Sequence, residues 1–220
     1  EAYVNWGALM VHQERWEDVR RLLEEDLQVA EEPDDIAELA IRLADILEEQ
    51  LADPAKAMRL MRRAVEATPD NLNRLERYRR LAEGQDATPE LIDANERLLA
   101  LIPADDPRRG EVYRRLGGLL LAAGDRLEDA VRVLEEGARV ASKDHRLLGL
   151  LSDAYDQQGR TEDQLRLLRQ RAEVAQDSAE KVAVLLKAAT LHEERSEADE
   201  SLEALLTAFR LEPANRETFT

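Results

Sequence analysis

A set of spaced residues returns six times along this chain, and that recurrence restricts the fold more than any single motif does. It is clearest at Tyr113-x2-Leu116-Gly117-x2-Leu120, followed by Ala130, Leu134 and Gly137. The second position of the set falls at Trp6, Leu43, Tyr78, Leu116, Leu151 and Ala188, a period of about 36 residues. The residue after it is Gly7, Ala44, Arg79, Gly117, Ser152 and Ala189, small in every case but Arg79. Small side chains at a fixed place are what two helices need when their backbones approach closely enough to interlock. A period of this length implies copies of one small unit stacked in a row, each contacting only its neighbours.

Local chemistry makes that unit a pair of helices. Leu, Ala, Glu and Arg dominate the chain, all strong helix formers, and only 9 Gly and 7 Pro interrupt 220 residues. Val112, Leu116, Leu119 and Leu120 recur at helical spacing, as do Val131, Leu134 and Ala138. Asp53-Pro54, Thr88-Pro89 and Asp106-Pro107 place a capping side chain before a proline at the first helical position. Thr161 with Gln164 has the spacing of a capping box. Helices of roughly 12 to 15 residues are expected between such starts. No Gly-, Ser- or Pro-rich linker divides the chain, so one continuous array is expected.

This spacing resembles the tetratricopeptide repeat family, whose pattern runs W-x2-L-G-x2-Y in a first helix and A-x3-F-x2-A in a second. The first unit matches through Tyr3, Trp6, Gly7 and Met10, then Val19 and Leu23. The second offers Leu43, Ala44 and Leu47, then Ala57, Met61 and Ala64. The fifth offers Leu148, Leu151, Ser152 and Tyr155, then Leu168, and the sixth Leu185, Ala189, Ser201, Leu205 and Ala208. Asp26 and Arg171 stand where the family usually has a small residue, and the third unit keeps only Leu75, Tyr78 and Ala82. The resemblance implies an all-α, right-handed α-solenoid of antiparallel helix pairs over residues 1–220. Its repeats are expected at 1–33, 34–70, 71–106, 107–143, 144–177 and 178–214, with 215–220 beginning a further helix. On that reading the chain is a segment of a longer array.

Little in the sequence carries catalysis. His12, His145 and His192 lie on different units, and His192-Glu193-Glu194 lacks the second histidine a zinc-protease helix requires. Gly117-Gly118 falls inside a helical pattern, which favours close packing over a phosphate loop. With no cysteine there is no disulfide, thiol nucleophile or thiolate metal site. The expectation is a non-catalytic chain with no metal and no cofactor. A net charge of −17 disfavours nucleic acid phosphates as partners. No apolar stretch approaches the roughly 20 residues of a membrane span, so no membrane insertion is expected. The compartment stays open, with the cytoplasm favoured.

The resemblance implies protein binding. In the family the first helices line a concave groove, which places Arg42, Arg77, Arg80, Arg114, Arg115, Arg146 and Lys187 on or near it. Arg77, Arg80, Arg114, Arg115 and Arg146 are the expected peptide-binding set, suited to carboxylates of an acidic segment. Glu76, Glu83, Glu111 and Asp153 lie nearby, and pairing with them would leave no more than a soluble surface. The lysine and asparagine set with which some family members clamp a chaperone C-terminus is not reproduced. The leading expectation is an interaction scaffold for a peptide or helical segment of another protein. The alternatives are a self-assembling structural solenoid joined through exposed repeat ends, and the regulatory arm of a larger enzyme or transcription regulator.

Overall fold

The computed structural model describes residues 15–213, which form eleven α-helices and no strand. The first helix of the first repeat, with Tyr3, Trp6, Gly7 and Met10, lies outside the described residues, as do His12 and 215–220. The chain divides into two compact units, Glu1–Leu101 and Ile102–Thr220. In the first, α1 (Trp16–Val29), α2 (Pro33–Glu49), α3 (Pro54–Ala67), α4 (Leu72–Gly84) and α5 (Thr88–Leu101) pack each on the next. In the second, α6 (Arg108–Ala123), α7 (Leu127–Val140), α8 (His145–Gln157), α9 (Thr161–Val174), α10 (Ser178–Glu194) and α11 (Ala198–Leu211) do the same. There α6 also reaches α8, so the first helix of one hairpin touches the first helix of the next. Helices α2 and α10 extend to 17 residues, longer than the sequence pattern suggests.

The core of each unit is a continuous seam between neighbouring helices. Ala37, Ala40, Leu43, Ala44 and Leu47 line one face of α2 and are all 2% exposed or less. The facing stripe of α3 is Ala57, Met58, Met61, Ala64 and Val65, at the same i, i+3, i+4 spacing. Tyr78, Tyr113 and Tyr155 are buried, so the aromatic positions of the repeat are packing positions. Trp16 opens α1 and is half-buried.

Close approach explains the small residue after the repeat's second position. A methyl group added at Gly117 would stand 2.4 Å from both Cγ and Cδ2 of Leu134 on α7. One added at Gly137 would stand 2.7 Å from both Leu147 and Tyr113. Gly118 differs, since its nearest neighbour, Leu150, would lie at an ordinary 3.5 Å.

Helix starts follow the capping signals with three differences, the first being that Thr88 is the opening residue of α5 rather than its cap and Pro89 the second. Asp53, Asn71, Asp144 and Asp177 each accept a backbone N–H of the following first turn. Asp106 accepts from Arg108 N at 2.8 Å, but Pro107 lies just before α6 rather than inside it. Thr161 and Gln164 do not form a capping box. Arg160 occupies the N-cap, and Gln164 turns into the core at 1% exposure, donating to Asp156 Oδ1 at 3.2 Å.

Every hairpin in the described residues turns through one left-handed residue: Ala52, Asp86, Gly124, Gly159 and Ser196. Only two of these are glycine, so three turns carry the backbone cost that a side chain adds at positive φ.

The packing around α6 sets an expected contrast. Gly117→Ala should destabilise the chain by about 1 to 3 kcal/mol through overpacking. Gly118→Ala should stabilise it by about 0.5 to 1 kcal/mol through helix propensity. Urea denaturation of both variants checks the pair, and equal effects would contradict the packing described.

Candidate functional site

The arginines expected at the binding surface form one set in each unit. In the first unit Arg77 and Arg80 share α4. Arg77 makes an ion pair with Asp45 of α2, while Arg80 is exposed. Burial, and then the neighbouring charge of Arg80, holds the Arg77 guanidinium below its ordinary pKa. Arg42, on α2, pairs with Glu38 of its own helix.

In the second unit Arg114 and Arg115 lie on α6 and Arg146 on α8. Arg114 Nε sits 3.6 Å from Asp144 Oδ2. The other oxygen of Asp144 accepts the backbone N–H groups of Arg146 and Leu147 at 3.0 and 3.1 Å, so this carboxylate both caps α8 and meets α6. Arg115 pairs with Glu111 at 2.8 Å along α6, and the Arg146 side chain is exposed. Lys187 on α10 meets Asp153 of α8 at 3.1 Å. The structure therefore brings the Arg114 guanidinium and the backbone N–H of Arg146 to Asp144 and gives Arg77, Arg115 and Lys187 carboxylate partners. Half-exposed pairs of this kind contribute about 0 to 1 kcal/mol each, so an incoming carboxylate loses little by competing with them.

Two depressions that the repeat pattern alone did not single out lie between successive hairpins. The one in the second unit has a volume of about 350 Å³, with a floor of Ala138, Leu151, Tyr155 and Leu167. Arg139, Arg160 and Arg166 stand on its edge with Glu135, Asp163 and Gln170. Tyr155 Oη donates to Glu135 Oε1 at 3.0 Å, Arg160 pairs with the same oxygen at 3.0 Å, and the Arg160 guanidinium lies 4.6 Å from the Tyr155 ring centroid. Tyr113 donates to Glu136, the next residue of α7, at 3.3 Å and accepts from Arg109 at 2.8 Å. The depression in the first unit, about 360 Å³, is floored by Leu27, Leu43, Leu47 and Leu60 and edged by Lys56, Arg59 and Arg63. The available signal was periodic for the floors, which recur at matching positions of their repeats, whereas of the edge cations only Arg59 and Arg166 do so.

His192 serves structure. It is buried, with Nδ1 2.7 Å from Glu197 Oε2, and this hydrogen bond, followed by one from Arg195, holds the Glu197 carboxyl below the usual carboxylate range. Among the described residues no group of three or more His, Cys, Asp or Glu side chains is arranged to hold a metal ion. None of the described helices is long and apolar enough to cross a membrane.

Burial pushes the phenols of Tyr78 and Tyr155 up to about 12, with neighbouring carboxylates adding to the shift. Because the folded pKa exceeds the unfolded value near 10, stability from these tyrosines is fully present below pH 10 and is lost as pH rises toward 12. Alkaline unfolding should begin in that window, and Tyr155→Phe should move its onset upward. A phenolate absorbance titration recorded with circular dichroism checks both, and ionisation of every tyrosine near pH 10 without unfolding would contradict it.

No family model and no curated protein matches this sequence. Solved structures do match it. The crystal structure of YrrB, a TPR protein with an unusual peptide-binding site, is 15% identical, with 83% of this chain and 89% of that one covered and a TM-score of 0.56. MamA protein is 15% identical over 83% of this chain and 94% of its own, at a TM-score of 0.57. MamA 41-end from Desulfovibrio magneticus RS-1 is 17% identical over 81% and 96%, at 0.52. These likenesses join the six-fold residue pattern and the stacked hairpins in one conclusion: the chain has the all-α solenoid fold of tetratricopeptide repeat proteins.

Proposed function

We propose that this chain is a non-catalytic scaffold that holds an acidic segment of a partner protein on the first helices of its hairpins. Arg77 and Arg80 would serve in one unit, and Arg114, Arg115 and Arg146 in the other. The observation that carries the reading is at Asp144, which meets the Arg114 guanidinium with one oxygen and is committed through the other to capping α8 at the backbone of Arg146 and Leu147, while the Arg146 side chain is exposed. The exposed Arg146 guanidinium and the remaining N–H groups of Arg114 leave donors for an incoming carboxylate, which they would bind through charge-assisted hydrogen bonds. YrrB, a chain of this fold with a peptide-binding site, adds support. A cytoplasmic setting belongs to the same reading.

Self-assembly is the second reading, favoured by Leu202 and Leu206, which lie one turn apart on α11 at 55% and 45% exposure. A labelled peptide of Asp, Glu, Ser and Gly, without apolar side chains, tests the first. Replacing Arg77, Arg80, Arg114 and Arg115 by Glu should weaken its binding more than about tenfold in low salt. Unchanged affinity would overturn the arginine site. Sedimentation of the wild-type chain across a concentration series decides the second reading, since a groove binder stays monomeric when dilute.

A further inference from the structure

The two depressions between hairpins occupy one place in the repeat. In the first unit the site is bounded by α1, α2 and α3, and in the second by α7, α8 and α9. Leu43 and Leu47 of α2 correspond to Leu151 and Tyr155 of α8, and Arg59 and Leu60 of α3 to Arg166 and Leu167 of α9. Hairpins that share only a repeat pattern thus build the same apolar floor and set one arginine, Arg59 or Arg166, at the same place on its edge, while the remaining edge cations stand at different positions in the two grooves.

The positive edge is not a general property of the repeat. At the position of Arg59 and Arg166, α1 and α7 also carry arginine, Arg21 and Arg132, whereas α5 carries Asp93 and α11 carries Glu203. Around Tyr78, at the corresponding place between α3, α4 and α5, Glu90 and Asp93 face Arg62 and Arg97, and Arg97 is tied to Asp93 at 2.9 Å. Against a net charge of −17, the first groove sets Lys56, Arg59 and Arg63 against Glu24, and the second sets Arg139, Arg160 and Arg166 against Glu135 and Asp163. Each is a local cationic surplus by residue count, with Lys56 paired to Asp53 and both Arg160 and Arg166 paired to Asp163. Glu24 is further engaged by Arg20 at 2.6 Å, and Glu135 by Tyr155 and Arg160. Arg59 and Arg139 are exposed and hold no ion pair among the described residues.

We propose that these two grooves are equivalent docking seats for acidic segments of a partner protein, each segment placing an apolar side chain between flanking carboxylates. A volume of about 350 Å³ accepts one or two side chains. The leucine floor supplies the apolar contact, and the arginine edge supplies donors that match carboxylates. Arg77, Arg80, Arg114, Arg115 and Arg146 line neither groove.

The test uses the chain already carrying Glu at positions 77, 80, 114 and 115, so that the first-helix site and the grooves fail separately. The probe is a fluorescein-labelled peptide in which a central Leu-Phe pair is flanked by Asp and Glu, followed by calorimetry for stoichiometry. Two peptides should bind per chain. Adding Lys56→Glu with Arg59→Glu should leave one, adding Arg139→Glu with Arg166→Glu should leave one, and adding all four should leave none. Exchanging the Leu-Phe pair for Ser should weaken binding about tenfold or more. Stoichiometry unmoved by the groove substitutions, or equal binding of a peptide with Lys and Arg in place of Asp and Glu, overturns the proposal. So does a chain that self-associates through Arg59 and Arg166, which would make a second copy the occupant. Circular dichroism melts identify any variant that has lost its fold, and Gln replacements at the same four positions then give the stoichiometry instead.

Discussion

No helix pair in this chain can hide its apolar stripe alone, and nearly every other feature follows from that shortage. Ordering each residue costs about 1 to 2 kcal/mol of backbone entropy, which two short amphipathic helices do not recover from the area they share. Their exposed flanks must be covered by the hairpins before and after. Coverage demands that first and second helices approach closely, and Gly117 against Leu134 shows how little room is left. Ala44, Ser152 and Ala189 hold the same place at 2% exposure or less. The third hairpin departs from the rule with Arg79, and there the second helix carries the smaller, polar Asn95 where its counterparts carry Leu134 and Leu168.

Periodicity made the packing legible in the sequence, because a side chain that meets the same neighbour in every repeat must keep the same size. Leu43, Leu116 and Leu151 could be placed in the core for that reason, and all three are buried. Turn geometry was less readable. Gly124 and Gly159 announce positive φ, whereas Ala52, Asp86 and Ser196 adopt it under the constraint of the packed helices on either side. Gln164 misled for a related reason, since its spacing from Thr161 suits a cap while its position on the inner face of α9 draws it into the core.

Charges were the least readable part. Arg42 with Glu38 and Arg115 with Glu111 follow the local i,i+4 rule, but Arg77 with Asp45 and Lys187 with Asp153 join neighbouring hairpins, and no local rule reports those. A helix surface with 36% charged residues in its sequence offers many equivalent pairings. What distinguishes one groove from another is the sign left over after pairing, and that quantity is visible only when the hairpins are stacked.

Glu135 and Glu136 stand side by side on α7, yet one reaches Tyr155 on α8 and the other Tyr113 on α6. Adjacent links on a single rod thus clasp the helices before and after it. Fraying that starts at either flank must break a bond on α7 before the disturbance can pass to the other flank. That position should make α7 the brake on unzipping in its unit, with its amide protons among the slowest there to exchange with solvent.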